Sequence, residues 1–368
     1  MSDTAGIDIR HATREDESEL RTLVGSVSMP GAVAVRFARE PDYFLGASIM
    51  GDPCDVLVAR QRLDGALAGI ACRAEQSAFV NGHDMRVGYI GQIRIAPGFR
   101  GRWLIHRGAQ RLRELSPPGL WYFGVIAREN PRARGVLTGP RLPAGWHAVR
   151  LCGLTTCAIL LRPRRTPRSV GLEVQPASRE TLPEVVAFLR QHGPRRQLFP
   201  AYTLDDFIGG ARLRGLAPED VMVARRAGAI AGVMAAWDQT AYKQDLVDAY
   251  GSTLQHLRPA YDLIARLFGA QPLTPPGQAI PLVFATCICI AGDDPATMRA
   301  LLAACAQGAY LAGKAYLMLG LADNDPLLAV VRQWLHVTYR SDLYAGAASA
   351  ELLPRLDGRV PYVEIATL

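Results

Sequence analysis

Lysine is nearly absent from this sequence. Lys243 and Lys314 are the two lysines among 41 basic residues, and arginine supplies the rest of a formal net charge of +7. The arginines are spread along the chain, and no basic run is interleaved with aromatic residues as nucleic-acid-binding segments are. We therefore expect no nucleic-acid partner.

Long apolar runs and an export signal are missing as well. No apolar stretch approaches the ~20 residues that a membrane-spanning helix needs, and residues 1–10 lack the basic start and apolar stretch of a secretory signal. The seven cysteines are odd in number and lie mostly in apolar stretches, which favours reduced core thiols. The sequence predicts a cytoplasmic protein without a membrane partner.

Metal-binding and hydrolase patterns are weak. Cys287 and Cys289 would share one face of a strand, but two ligands are too few for a tetrahedral site and no further Cys or His has useful spacing. His106 and His147 have no Ser or Asp partner that the sequence reveals, as a catalytic triad would need. We predict no metal site and no serine hydrolase.

What the chain does have is length and apolar content. Its 368 residues exceed the size at which one hydrophobic core usually stops growing, and 49% of them are apolar. Segment 163–171 has the composition of a linker, because repeated prolines and like charges oppose both helix and buried strand. We expect two domains, residues 1–162 and 172–368.

The second domain repeats the pattern of the first. Three segments recur in the same order, which indicates duplication. The pairs are 7–16 with 172–181, 64–71 with 227–234, and 126–131 with 321–326. The first pair is 165 residues apart and the last is 195 apart. The second copy therefore carries extra residues, which we assign to a helical insertion at about 240–278 that packs between the domains or caps a cleft.

Two acidic residues lie in this insertion. Helical spacing over 242–250 would place Asp245 and Asp248 on one helix face, one turn apart. Two interpretations stay open: a solvated face, or a surface that attracts a cationic acceptor amine.

The first domain carries a specific motif. Residues 92–95 have the pattern of a central strand, 97–102 that of a Gly-containing turn, and 103–115 that of a helix. With the flanking strands and hairpins, this order resembles the GNAT superfamily of N-acetyltransferases, and the resemblance covers residues 7–162 in pattern. It implies an α/β (α+β) fold with two tandem acyl-CoA N-acyltransferase-like domains, each a mixed, mostly antiparallel sheet flanked by helices.

The turn suits a phosphate group. Backbone N–H groups of a Gly-containing turn and the positive end of the following helix bind anions. The family motif reads Arg/Gln-x-x-Gly-x-Gly/Ala; Arg100 takes its first position, but Trp103 and Ile105 stand where small residues are expected. The resemblance implies acetyl-CoA as cosubstrate. The cofactor-binding residues that it implies are Ile93, Arg94, Ile95, Arg100, Gly101, Arg102, Trp103 and Leu104.

Catalytic residues follow from the same resemblance. Strand 120–126 would open beside the central strand to admit the pantetheine arm, and Asn130 begins Asn-Pro-Arg-Ala, which is similar to the family's Asn-x-x-Ala. Family members often carry a Tyr that protonates the leaving thiolate, but that position is Leu137, so Tyr122 or bulk water would take the role. Gln92 either holds a water near the amine or is an ordinary polar residue of the strand.

The second copy lacks the motif. Its central strand is expected at 282–291, and Asp293 and Asp294 follow where phosphate would bind and would repel it. We therefore expect this domain to shape the acceptor site, to hold a homodimer, or to stabilise the first domain.

These observations predict an N-acetyltransferase that moves acetyl from acetyl-CoA to an amine of a small molecule or peptide. Two alternatives remain. One is a non-catalytic acyl-CoA-binding or assembly protein that has lost the usual Tyr and the small loop residues. The other is an acyltransferase for a longer acyl or an aminoacyl donor, with Trp103, Ile105 and Leu137 lining an apolar site.

Overall fold

The computed structural model describes residues 6–29, 31, 33–100, 102–139, 145–163 and 171–368, so the expected linker lies outside the described residues except at its two ends. The strands are β1 (Ile7–His11), β2 (Ser28–Met29), β3 (Val33–Ala38), β4 (Cys54–Gln61), β5 (Leu67–Val80), β6 (His83–Ile95), β7 (Tyr122–Ala127), β8 (His147–Leu160), β9 (Glu173–Pro176), β10 (Phe199–Pro200), β11 (Val221–Arg226), β12 (Ala229–Trp237), β13 (Gln244–Tyr250), β14 (Leu282–Ile290), β15 (Tyr316–Ala322) and β16 (His336–Ala347). The helices are α1 (Glu17–Gly25), α2 (Tyr43–Ser48), α3 (Arg102–Leu115), α4 (Pro131–Leu137), α5 (Leu182–His192), α6 (Leu204–Ile208), α7 (Ser252–Leu267), α8 (Pro295–Leu311) and α9 (Leu328–Val331).

Within the described residues, thirteen strands form one continuous sheet. The main path is β1-β4-β5-β6-β7-β16-β8-β15-β14-β12-β11-β9, and β10 pairs with the end of β5. Neighbouring strands are antiparallel except for two parallel pairs, β6 with β7 and β14 with β15. This mixed, mostly antiparallel sheet flanked by helices confirms the predicted fold class.

The strand order shows the duplication. Followed inward from its two edges, the sheet gives β1-β4-β5-β6-β7-β16 on one side and β9-β11-β12-β14-β15-β8 on the other. We call the part that holds β1 to β7 the first half and the part that holds β9 to β15 the second half. Each half gives its last strand to the other: β8 pairs with β15, and β16 pairs with β7. The two halves thus share one sheet, while the boundaries at 1–162 and 172–368 stay a prediction.

A second, smaller sheet corrects one expectation. The helix expected over 242–250 is wrong: residues Gln244–Tyr250 form β13, which pairs with β3 in the order β13-β3-β2. Of the insertion, only the part from Ser252 is helical, as α7. Asp245 and Asp248 therefore do not share a helix face. Asp248 pairs with Arg36 at 2.7 Å, whereas Asp245 lies in the interior beside Arg39.

The helices follow the central strands as expected. α3 begins after β6 and a short turn at Pro97–Phe99, and α8 begins after β14 and a turn at Ala291–Asp293. α3 packs on the edge of the first half through Leu104, which contacts an apolar cluster on β1, β4 and β5. Helix and sheet thus place both helix N-termini beside the carboxyl ends of the two central strands.

Candidate functional site

The two central strands open away from their parallel neighbours. β6 and β7 pair at Gly88 with Tyr122 and at Tyr89 with Phe123, and the pairing ends there. Gly88 allows this close approach because a side chain at that position would collide with the Tyr122 ring. Beyond Tyr89 the two strands diverge, which creates the opening that the sequence predicted beside strand 120–126.

A bulge lies in β6 next to the opening. Gln92 has a φ of 54°, and the β5–β6 register jumps so that Gln92 and Ile93 face the single residue Ala71. Such a bulge leaves an extra residue unpaired and turns its backbone groups away from the ladder. A non-glycine residue at this φ is strained, and backbone strain of this kind is concentrated at functional sites.

The second half contains the same bulge 195 residues later. Cys287 also has a φ of 54°, and Cys287 and Ile288 face the single residue Met234. In this half the N–H groups of both bulge residues have side-chain acceptors. Cys287 N–H donates to Glu364 Oε2 at 3.0 Å, and Ile288 N–H donates to the Tyr362 hydroxyl at 3.2 Å. The bulge therefore presents two backbone donors, one of which binds a carboxylate oxygen.

Glu364 occupies the opening of the second half. Its Oε2 also accepts hydrogen bonds from Tyr202 at 3.2 Å and from Tyr362 at 2.9 Å. All three side chains are buried, and burial raises the pKa of both tyrosines well above the usual range. A carboxyl oxygen is thus held by one backbone donor and two hydroxyl groups at the position where the pairing of the two strands has ended.

The equivalent bulge of the first half has no described side-chain acceptor. Among the described residues, no side chain accepts a hydrogen bond from the N–H of Gln92 or Ile93. The Gln92 side-chain oxygen is buried and also has no described partner. Buried polar groups are normally hydrogen-bonded, so unpaired ones indicate a place for a ligand or water.

The N-termini of α3 and α8 also differ, because a carboxylate is present only at that of α8. Asp294 caps α8 and accepts from the N–H groups of Ala296 and Thr297, each at 3.2 Å. Its hydrogen bond with the Thr297 hydroxyl, above all, lowers its pKa to about 2. Asp293 is paired with Arg196 at 2.7 Å. These carboxylates take the place expected of a phosphate, whereas α3 has no acidic residue in its first turn.

Besides Ile93 and Arg94 of β6, the six other residues predicted to bind the cofactor divide into three groups. Ile95, Trp103 and Leu104 belong to the apolar cluster under α3, and Leu104 is buried. Arg100 is exposed just before α3. Gly101 lies outside the described residues, and Arg102 is described as the first residue of α3. Their contacts with a cofactor stay a prediction.

The structure places Tyr122 at the start of β7, below the opening. Its hydroxyl accepts from Arg73 Nε at 2.9 Å and shares a 2.6 Å hydrogen bond with Ser116. Asn130 caps α4 by accepting from the Ala133 N–H at 3.0 Å. Both side chains thus have structural partners, and their catalytic roles stay a prediction.

Sequence reasoning missed two buried charged residues, Arg39 and Lys243. Arg39 is 2% exposed and Lys243 is 8% exposed. They lie near Arg94 of β6 and Asp245 of β13, which the sequence analysis named for other roles and which are partly buried. The near absence of lysine elsewhere was the signal that could have pointed to Lys243, but no local pattern marks Arg39.

Electrostatics in this group are set by burial. Burial lowers the pKa of Lys243 to about 7, and the positive charge of Arg39 adds to the effect. Burial raises the pKa of Asp245, while Lys243 and Arg39 oppose that rise. Lys243 donates to the carbonyl oxygen of Ala366 at 2.8 Å and to a main-chain oxygen of Leu368, the last residue of the chain, at 3.1 Å. Lys243 and Asp245 line the same open pocket.

The described residues contain neither a membrane-spanning helix nor a cluster of metal ligands. None of the helices in the described ranges is long and apolar enough to cross a bilayer. Among the same residues, no three His, Cys, Asp or Glu side chains gather as metal ligands would.

The strand order and the two openings identify the fold of this chain as the GNAT fold, present in two halves in tandem. No protein-family model and no curated protein matches the sequence. Among solved structures, the chain is similar to N-myristoyltransferase from Saccharomyces cerevisiae. One structure with bound myristoyl-CoA and inhibitors has 12% identity and a TM-score of 0.60, over 98% of this chain and 87% of that one. Another with bound myristoyl-CoA has 11% identity and a TM-score of 0.58, over 94% and 84%.

A third similar structure is the GCN5-related glucosamine N-acetyltransferase region of a fungal multi-domain GH3 β-N-acetylglucosaminidase. It has 12% identity and a TM-score of 0.60, and the match covers 93% of this chain. This chain spans 38% of the length of that protein. At these identities the similarity establishes the fold.

Proposed function

We propose that this protein is an acyl-CoA-dependent N-acyltransferase whose donor binds in the first half. The observation that carries the proposal is the pair of equivalent bulges. In the second half the bulge N–H of Cys287 binds the Glu364 carboxylate, whereas the N–H groups of Gln92 and Ile93 have no side-chain acceptor among the described residues. Two preorganised backbone donors at an opening between strands are suited to a thioester oxygen that gains negative charge during acyl transfer.

Charge supports the same assignment of the two halves. A phosphate group favours a helix N-terminus with free N–H groups and no nearby carboxylate. Asp294 already takes the N-terminal donors of α8, whereas the first turn of α3 holds no acid and follows the exposed Arg100. Acyl-CoA would supply the activated thioester, and β6, Arg100 and the α3 N-terminus would hold it.

The length of the acyl chain is a second question. Acetyl-CoA is the donor that the sequence motif implies, but the yeast structures that cover nearly all of this chain hold myristoyl-CoA. Competition among acetyl-, octanoyl- and myristoyl-CoA, measured by calorimetry, separates the two candidates. Tighter binding with each added methylene would favour the longer donor, because a buried methylene contributes ~0.8 kcal/mol.

Donor binding is tested with the intact protein and two matched variants. Arg100→Ala should weaken acetyl-CoA binding about tenfold, which corresponds to ~1.4 kcal/mol. Arg62→Ala removes the same charge from an exposed hairpin turn and should leave the affinity unchanged. Absence of saturable binding to the intact protein, with any of the three acyl-CoAs, would refute the proposal. Binding without turnover on any amine would favour the non-catalytic alternative.

The bulge is tested by two changes at one residue. Gln92→Gly keeps the N–H and tolerates a φ of 54°, so acyl transfer should fall less than fivefold if the backbone does the chemistry. Gln92→Val puts a β-branched residue at that φ, which should shift the bulge and lower turnover about a hundredfold. If Gln92→Gly is as inactive as Gln92→Val, the side chain carries the role, for example by holding a water.

A further inference from the structure

Two arginines lie near the same partly buried aromatic ring, that of Phe37. Phe37 lies in β3, and the guanidinium carbons of Arg39 and Arg94 are 6.0 and 5.8 Å from its ring centre. Arg39 is the first residue after β3. Arg94 reaches the ring from β6, two residues after Gln92.

Neither guanidinium forms an ion pair with a described carboxylate, although Asp245 lies near enough to Arg39 for its charge to raise the pKa of that arginine. Arg39 donates from Nη1 to the neighbouring Ala38 carbonyl at 2.9 Å, and Arg94 donates from Nη1 to the Ile93 carbonyl at 3.0 Å. Arg94 Nε is buried without a described partner, and no described carboxylate lies within 4.0 Å of either group. By contrast, buried Arg73 is paired with both Asp55 and Glu75.

This arrangement is electrostatically incomplete. Arginine stays charged in proteins, and a buried charge normally has a partner of opposite sign. Burial lowers the pKa of both Arg39 and Arg94. Packing holds Arg39 in place, because a side chain at Gly46 would place its Cβ 2.5 Å from Arg39 Cδ. Two arginines with one nearby carboxylate, Asp245, and without an ion pair to it are suited to bind a further anion.

The pair lies away from the expected phosphate site. Ile95 belongs to the apolar cluster under α3, and neighbouring residues of a strand point to opposite faces, so Arg94 faces away from α3. Arg94 therefore lies on the sheet face opposite α3, and Arg39 approaches it there from the segment after β3, with Phe37 between the two contacts. Asp245 completes this surface, because it pairs with Phe37 across the β3–β13 ladder and its Oδ1 has no described partner.

We propose that the acceptor is a small amine of the α-amino-acid class, whose carboxylate is bound by Arg39 and Arg94 and whose amino group lies beside Asp245. Planar guanidinium groups pair with carboxylates in a bidentate manner, and a carboxylate is the natural partner of an ammonium group. This inference rests on the proposed function for its chemistry, but the anion site can be measured without the donor.

Donor-free binding is measured by thermal unfolding of the full chain. The ligands are alanine, glutamate, lysine and phenylalanine, each beside its C-terminal amide and its decarboxylated amine. At least one amino acid should raise the unfolding temperature while its amide and amine do not. Arg94→Met should abolish that rise, and Arg36→Met, a change on β3 that removes a partner of Asp248, should retain it. A free amino acid that acts no better than its amide would overturn the proposal.

The variants also report on the unliganded protein. Because Arg94 lacks an anion, replacing it with Met should leave the unfolding temperature equal or higher without ligand, which guards against loss of folding as the cause. Arg94→Lys keeps the charge and loses the planar fork, and should retain a smaller rise. A lower unfolding temperature of Arg94→Met without ligand, together with an unchanged response to amino acids, would contradict the assignment.

Turnover separates this inference from the proposed function. With a bound acyl-CoA, kcat/KM for the amino acid should exceed that for its amide at least tenfold, and Arg94→Met should bring this ratio to about one by lowering the value for the amino acid more than the value for the amide. If calorimetry shows no donor binding but amino acids still raise the unfolding temperature selectively, the acyltransferase proposal fails and the anion site stands. If donors bind and amides are used equally well, the anion site fails alone.

Discussion

Individual residues in the interior show which charges the fold tolerates. Asp16, Arg73 and Glu364 are buried, but each has hydrogen-bonding partners that compensate for lost water. Lys243 has two main-chain oxygen acceptors, one of them on the last residue, Leu368, and no described side-chain carboxylate within 4.0 Å. Its charged form is therefore the least stable of these, which makes its protonation visible in the stability of the whole protein.

The pH dependence of unfolding should report Lys243. Its folded pKa is about 7, against a usual value of about 10.5. Between these values the unfolded chain binds more protons, so stability should rise with pH across this window and the gain should be absent below pH 7. From pH 7.5 to 9.5 the wild type should gain ~2 kcal/mol relative to Lys243→Met, measured by urea unfolding. Parallel profiles for the two proteins would contradict the assigned burial of a charged amine.

The equivalent helices α3 and α8 differ at their N-termini and in how much of their surface is buried. α3 and α8 follow equivalent strands, but α8 is capped by Asp294 and buries many more of its side chains than α3 does. An N-cap carboxylate stabilises a helix by accepting the N–H groups that have no partner in the first turn. The second half has thus gained helix stability at the place where the first half keeps donors available.

The cap of α8 should be measurable. Asp294→Ala removes the hydrogen bonds from Ala296 and Thr297 and should lower the free energy of unfolding by ~1 kcal/mol. Asp294→Asn keeps a side-chain acceptor and should recover most of the loss. The difference between wild type and Asp294→Ala should shrink below pH 4 as the carboxylate is protonated, because its folded pKa is about 2. A loss of acyl-CoA affinity in Asp294→Ala would indicate that the donor binds in the second half, against the proposed function.

The molecule as a whole is held together by the exchange of β8 and β16. β16 lies between β7 and β8, and β8 in turn pairs with β15. A first half without β16 would leave β7 and β8 with unpaired edges, which promote aggregation. The two halves also interact electrostatically, because the charge of Arg39 in the first half lowers the pKa of Lys243 in the second.

Separate expression of the two halves tests this coupling. Residues 1–162 alone should not show a cooperative thermal transition, whereas co-expression with residues 172–368 should restore one close to that of the intact chain. Calorimetry and size-exclusion chromatography measure both outcomes. A monomeric 1–162 fragment with a sharp transition would show that the first half closes its sheet without the exchanged strand.

The sequence by itself determined the local elements. Hairpins with Gly turns, the turn before α3 and the order of strands and helices follow from short-range patterns, and these were predicted along with the fold class. It also showed two adjacent carboxylates, Asp293 and Asp294, at the turn before α8, the position equivalent to the predicted phosphate site of the first half. Local patterns failed at 242–250, where pairing with β3 outweighs helical spacing.

Only the tertiary structure decided the rest. Three features join residues that are distant in sequence. They are the strand exchange, the hydrogen bond from the Cys287 N–H to Glu364, and the proximity of Arg39, Arg94 and Asp245 to Phe37. No periodicity records such contacts, because they depend on how strands pair and which faces they bury. The physical reason is that burial, not residue type, makes these charges unusual, and burial is a property of the folded chain.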